Sequence, residues 1–399
     1  MRILQLCHKP PYPPIDGGTK AMHNITRGLL EAGHQVKVLC ISTAKHPLKV
    51  AAIPAAYRKQ TAIEGVFVDT ALNVVDAFTD LVTADNYNIS RFFSPDMDIR
   101  LIQLLSQESF DIIHLESLFV TPYIPTLRRY SKAPIVLRSH NMEHAIQERI
   151  AQGERNIFKK PYRKYLARQL KQYEQDVLAL VDGVAAITAA DAAQMEPHGS
   201  PCPITVIPFG VWPGEYEFPE PEGPPIFFHL GSMDWLPNEE GIRWLLRHVW
   251  PTVLQSHPAA KLHLAGNRMP RDMIRARLPG TTVVGRVPDA DRYIAKRHVM
   301  LVPLFSAGGM RVKIIEGMAM GKCIISTTIG AEGIKHKPGH NILIADTAAE
   351  FIAQMESVLD NPGLAGQIGR RSAQLVKQQH NNVEIIKDLL AFYASLKRK

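Results

Sequence analysis

"RILQLCHKPPYPPIDGGTKAMHNITRGLLEAGHQVKVLCIS", residues 2 to 42, decides the fold. "RILQLC" and "HQVKVLCIS" are uniformly apolar runs of strand length. Between them, from Thr19 to Ala32, apolar residues recur at helical spacing and the pattern stops at Gly33. This strand, helix, strand unit builds a parallel sheet.

The series continues with "FDIIHLES", "APIVLRSH" and "VDGVAAITA", and "TVIPFGV" closes it. Runs this apolar suit parallel strands covered by helices on both faces. From Pro208 to Pro225 the chain is crowded with proline, glycine and glutamate, a composition that holds no regular element. A second series follows: "PIFFHLGS", "AKLHLAG", "TTVVGRV", "VMLVPL", "KCIIST" and "NILIAD", separated by helical stretches such as "AAEFIAQMESVLD". The expected fold class is α/β, two doubly wound Rossmann-like domains facing a cleft. The N-terminal domain is expected over 1–208, a linker over 209–225 and the C-terminal domain over 226–380. A last helix over 381–399 is expected to cross back to the N-terminal domain. In such sheets ligands bind beyond the carboxyl ends of strands, so function is sought in the loops that follow them.

Composition sets outer bounds. A chain of 399 residues, 46% apolar, has material for two cores. Its four cysteines, Cys7, Cys40, Cys202 and Cys323, form no CxxC pair, which indicates neither a zinc cluster nor a disulfide framework and fits a cytoplasmic setting. "MRILQLC" is too short for a signal sequence and breaks at "HKPPYPP", and no run approaches the roughly 18 apolar residues of a membrane-spanning helix. A net charge of +8 and a pI near 9.2 favour anionic partners without choosing among nucleotides, nucleic acid and an anionic bilayer.

The stretch with most chemistry is "GGMRVKIIEGMAMGKCIIS", residues 308 to 326. On a helical projection Val312, Ile314, Ile315, Met318 and Ala319 share one arc, and Lys313 and Glu316 lie opposite. Lys313 and Glu316 alone fit an ordinary surface i,i+3 pair, worth a few tenths of a kcal/mol. Arg311 points into the apolar arc and is expected to reach forward from the helix's first turn. There Gly308 and Gly309 bare backbone N–H groups and the helix dipole favours an anion. Glycine turn, helix start, Arg311 and Lys313 describe a phosphate or diphosphate site. Glu316 suits neutral hydroxyls such as those of a ribose.

Other motifs are weighed beside it. In "PPYPPIDGGTK" Gly17 and Gly18 open a helix and let backbone approach a bound group, or form a plain loop. No GxGxxG occurs, against a nicotinamide dehydrogenase. In "LRSHNMEHAI" His140 follows a strand, where an imidazole can contact a sugar hydroxyl or act as a base. His140 and His144 lack a third metal ligand, and His114 reads as an internally satisfied histidine. "DMD", residues 96 to 98, precedes a helix and reads as its cap. "GMAMGKC" has the wrong spacing for a P-loop. "KKPYRKYLARQLK", residues 159 to 171, is a basic helical stretch with interleaved tyrosine and leucine, a solvated face or an anionic-membrane contact.

Together "DGGTKAMHNITRGLLEAGHQVKVL", "SHNMEH", "VDGVAAIT", "VIPFGV", "FFHLGSMDWLPNEEGI" and "GGMRVKIIEGMAMGKCIISTTIGAEGI" resemble the retaining GT-B glycosyltransferases of family 4 over nearly the whole chain. The resemblance implies a nucleotide-diphospho-sugar, UDP- or GDP-linked, as donor to the C-terminal domain, and a glycan or glycolipid acceptor on the N-terminal one. It implies that no metal is required; no cofactor and no nucleic acid are expected, and the expected setting is cytoplasmic, with 159–171 either a solvated face or a peripheral membrane contact. His140, Arg311 and Lys313 become the catalytic residues. Gly17, Gly18, Gly231, Gly308, Gly309, Met310, Arg311, Lys313 and Glu316 become the donor-binding ones. This chain departs from the family pattern at three places. Gly308 stands where a glutamate is common, and Ser232 and Asn238 stand where an arginine and a lysine are common after Gly231, leaving the phosphate charge to Arg311 and Lys313. A nucleotide-sugar epimerase and a non-catalytic nucleotide-sugar-binding subunit are the competing expectations.

Overall fold

The computed structural model describes residues 1–70, 87–153, 156, 159–196, 201–276, 278–306 and 308–396. Of the last helix expected over 381–399, residues 397–399 lie outside the described residues. Two compact units form, Met1–Gly210 with Asn382–Lys399, and Val211–Asn381.

The first unit holds a parallel seven-stranded sheet. Its strands are β1 (Arg2–Cys7), β2 (Gln35–Ser42), β3 (Glu64–Phe67), β4 (Ile112–Glu116), β5 (Ile135–Ser139), β6 (Gly183–Ala186) and β7 (Ile204–Val206), in the order β3-β2-β1-β4-β5-β6-β7. The order reverses between β1 and β4, which pair in register from Ile3↔Ile112 to Cys7↔Glu116. The helix Gly17–Glu31 starts on a capping box: Asp16 Oδ1 accepts from Thr19 N and Asp16 N donates to Thr19 Oγ1, both at 2.9 Å. It buries Met22, Ile25 and Leu29 in the same apolar layer as Ile3, Val36, Val38 and Ile112. Each such side chain contributes about 1.5–3 kcal/mol on burial.

The helix Asn382–Leu396 completes that layer with Ile385, Ile386, Leu389, Phe392 and Tyr393. A Cβ on Gly28 would lie 2.3 Å from Ile386 Cγ1, so glycine is required where the two helices meet. Asp96 and Asp98 sit in the first turn of the helix Pro95–Gln107, after Ser94 at the cap position. Asp98 Oδ1 accepts from Thr126 Oγ1 at 2.5 Å. The pair therefore serves as first-turn carboxylates facing the positive helix end rather than as the cap itself.

The second unit repeats the plan with β8 (Ile226–Leu230), β9 (Lys261–Ala265), β10 (Thr281–Gly285), β11 (Val299–Val302), β12 (Cys323–Ser326) and β13 (Leu343–Ile344), all parallel, in the order β10-β9-β8-β11-β12-β13. Here the order reverses between β8 and β11, paired through Val299↔Phe227 and Met300↔Phe228. The helix Leu236–His248 approaches so closely that a Cβ on Gly241 would lie 1.8 Å from the Pro303 carbonyl oxygen. Within 209–225 Phe209, Val211 and Trp212 are buried, Val211 N donates to His380 O at 2.7 Å, and most of 213–224 is exposed. No helix among the described residues is long and apolar enough to cross a membrane.

Candidate functional site

In both units the candidate residues fall where the strand order reverses, the place an open α/β sheet offers a ligand. In the second unit the loops after β8 and β11 meet there. Gly231 follows β8, and a Cβ on it would stand 2.6 Å from Asn238 Nδ2 and 2.9 Å from His229 Nε2, so no larger residue fits. Asn238 is buried in the first turn of Leu236–His248. Its Nδ2 donates to Ser232 O, and its Oδ1 accepts from Lys313 Nζ, each at 2.9 Å. Asn238 thus ties the β8 loop to the helix Val312–Ala319.

Arg311 departs from its expected pose. It stands before that helix, at its cap position, with extended φ −85° and ψ 95°. Its Nη2 turns back to donate to Gly308 O and, at 2.6 Å, to Gly309 O, while the guanidinium lies 5.7 Å from the Trp235 ring centre. The sequence projection placed Arg311 within the first turn. One residue earlier, its side chain leaves the apolar arc and braces the glycine loop, whose Gly309 has φ +71°. Met310 is half-buried between them.

Glu316 is only 4% exposed, which rules out a surface pair with Lys313. Its Oε1 accepts from Tyr216 OH at 3.3 Å. Burial, with the Glu316 charge second, raises the Tyr216 phenol well above its ordinary range, so it remains a donor. Burial, with Arg311 second, lowers Lys313 to about 7. Burial, with Lys313 second, holds His229 far below the usual imidazole range, and its Nδ1–H donates to Leu301 O at 2.9 Å. The chemistry assembled is a half-buried lysine beside a second cation, a glycine loop at a helix start and a buried carboxylate. It suits an anion carrying hydroxyls nearby.

In the first unit Gly17 and Gly18 begin the helix after Asp16. Lys9 Nζ donates to both Asp16 carboxylate oxygens, at 2.8 and 2.9 Å, and a Cβ on Gly18 would lie 3.1 Å from that ammonium. His140, beyond β5, brings Nε2 to 2.7 Å from Glu116 Oε2. Glu116 is fully buried and also receives Gln5 Nε2 at 2.8 Å, with His114 Nε2 at 3.3 Å and Arg138 Nη1 at 3.6 Å. Burial pushes Glu116 up, but His114 and Arg138 beside it and the hydrogen bond from His140 outweigh it and hold the carboxyl well below its ordinary value. His114 Nδ1 meets Tyr393 OH at 2.6 Å, a structural contact within the core.

His144 turns away from His140 to Glu174, whose Oε1 accepts from Glu143 N at 2.7 Å and closes the N-terminus of the helix Glu143–Gly153. Among the described residues no three His, Cys, Asp or Glu side chains converge on a metal position. Lys322, in the P-loop look-alike, is buried and donates to Ala295 O at 2.8 Å. The basic stretch lies on the helix Lys159–Leu178, with Tyr162 and Tyr165 exposed.

Sequence reasoning missed His8, Lys9, Glu116, Tyr216, His229 and Asn238 as partners. Glu116 carried a signal, a carboxylate in an otherwise apolar strand. Tyr216 carried none, because it lies in a segment without periodicity.

The chain has the GT-B fold of sugar-transferring enzymes. It is similar to sucrose-phosphate synthase from Thermosynechococcus elongatus, with 16% identity, 99% of each chain covered and a TM-score of 0.74. It is also similar to Anabaena HepE in complex with UDP and glucose, with 14% identity, 99% of this chain and 100% of that chain covered and a TM-score of 0.68. An uncharacterized 44.6 kDa protein in the cps region of Klebsiella pneumoniae is 22% identical over 301 residues, 73% of this chain and 76% of that one. Residues 15–215 match Glycosyltransferase Family 4 and residues 224–361 match Glycosyl transferases group 1. The chain belongs to glycosyltransferase family 4 of the group 1 enzymes.

Proposed function

We propose that this glycosyltransferase is a metal-independent, retaining hexosyltransferase that moves a sugar from a UDP- or GDP-sugar to a hydroxyl of a glycan or glycolipid. The observation that carries the proposal is Lys313: a half-buried ammonium with a neutral amide as its hydrogen-bond partner, next to Arg311 and the Gly308–Gly309 loop. A partly desolvated cation so placed gains most from a dianion, and a nucleoside diphosphate supplies both the charge and the ribose hydroxyls that suit Glu316. HepE in complex with UDP and glucose supports the donor class.

Arg311 and Lys313 neutralise the diphosphate as it leaves, and Glu316 accepts from the ribose. In the first unit His140 contacts the donor sugar while Gly17 and Gly18 offer backbone N–H groups. Retention follows from attack on the face the diphosphate leaves, with a diphosphate oxygen taking the acceptor's proton. Incubation with UDP- and GDP-sugars and an acceptor panel, followed by NMR of the product anomer, tests this. Arg311→Ala should lower turnover about a hundredfold or more. A fully active variant, or an inverted product, sinks the assignment.

The exposed Tyr162 and Tyr165 among the cations of 159–171 favour a peripheral contact with anionic bilayers. Flotation with phosphatidylglycerol vesicles should carry the protein upward. Equal recovery with neutral vesicles removes this contact from the account.

A further inference from the structure

The strand order places β4 between β1 and β5, with Cys7↔Glu116 and Glu116↔Arg138 in register. Glu116 is therefore the middle of three strand ends. His8 follows the first and His140 lies just past the third, and both rings turn toward Glu116. His8 Nδ1 is 2.9 Å from the Glu116 backbone oxygen, His140 Nε2 is 2.7 Å from its carboxylate, and the two rings meet edge to face with centres 6.0 Å apart.

The acceptors dictate the protons. A backbone carbonyl only accepts, so His8 carries its hydrogen on Nδ1 and its lone pair on Nε2. An ionised carboxylate only accepts, so His140 carries its hydrogen on Nε2 and its lone pair on Nδ1. Neither ring is cationic near neutrality. Burial, aided by Lys9 and His140, lowers His8 to about 3, and burial lowers His140 against the opposing pull of Glu116, with Arg138 and Lys9 adding to the lowering.

The carboxylate itself cannot rotate. Gln5 Nε2 holds Oε1 and is fixed in turn by Thr26 Oγ1 on its own oxygen at 2.7 Å. Arg138 stands beside Oε2 and donates to Ala21 O at 3.2 Å. Residues of the helix Gly17–Glu31 thus set the orientation of Glu116.

We propose that Glu116 is a positioning residue which locks His8 and His140 in opposite neutral tautomers, so that each presents an unprotonated nitrogen to a hydroxyl of a bound sugar. The ligand class at this sheet end is a neutral polyol that donates two hydrogen bonds. A phosphate, which offers acceptors, is refused. The inference rests on the glycosyltransferase reading above and adds His8 as a second sugar contact.

The test uses the full-length protein with ¹⁵N-labelled histidine and long-range ¹H–¹⁵N correlation near neutral pH, with signals assigned through His8→Gln and His140→Gln. Expected are an Nε2–H tautomer for His140 and an Nδ1–H tautomer for His8. A charged ring, or His140 protonated on Nδ1, overturns the proposal without any enzyme assay. In Glu116→Gln the amide can donate to Nε2, so His140 should shift toward Nδ1–H, and kcat should fall about tenfold while the donor KM changes less than about twofold. An unchanged His140 tautomer in that variant also overturns it. If Glu116→Gln does not fold, the wild-type spectrum still decides. If the tautomers are as expected but no nucleotide-sugar is consumed, the functional reading fails and the positioning role stands.

Discussion

Each unit sets a charged group where its strand order reverses, Glu116 fully buried and Lys313 half-buried, and the two are completed differently. In the first unit the Glu116 carboxylate is surrounded by Gln5, His114, Arg138 and His140, so its charge is balanced from within. In the second, the Lys313 ammonium meets the Asn238 amide, and the charge acting on it is that of Arg311, another cation. A closed network holds other groups in position. An open one is poised for a ligand to supply what is missing.

The contrast breaks if the two sites respond alike to removal of their charge. Glu116→Ala strands the Arg138 guanidinium in the core and should cost about 3–5 kcal/mol in chemical denaturation, the typical penalty for an uncompensated buried charge. A loss below about 1 kcal/mol would mean the network is not closed. Lys313→Met removes a cation that burial already disfavours. Stability should change by less than about 1 kcal/mol or rise. A large loss would make Lys313 a structural residue.

Much of the architecture was legible. Apolar runs gave nearly every strand because parallel strands covered on both faces admit few polar residues. β3 escaped because "EGVF" is a short, half-buried edge strand with neither a continuous apolar run nor a turn signal around it. Gly308, Gly309, Arg311, Lys313 and Glu316 could be grouped from spacing alone. The direction of Arg311 could not, because moving the helix start by one residue turns the side chain by about 100°. Asn238 read as a lost cation in the sequence. In the structure it holds one of the two that remain, Lys313, 75 residues away along the chain. Pairings between distant segments, like Glu116 with His140 or Tyr216 with Glu316, are set by topology and leave no local pattern.

The proposed role of Lys313 is to receive a diphosphate, and calorimetric titration with UDP as a function of pH tests it. Free Lys313 sits at about 7, and a bound diphosphate raises it, so above that value binding must draw a proton onto the lysine. From about pH 7 to about pH 9 affinity should fall by up to about tenfold per unit, with proton uptake approaching one per UDP. Lys313→Met should bind more weakly and lose this dependence. Wild-type affinity that stays flat across the interval, or proton uptake that persists in Lys313→Met, would contradict the account.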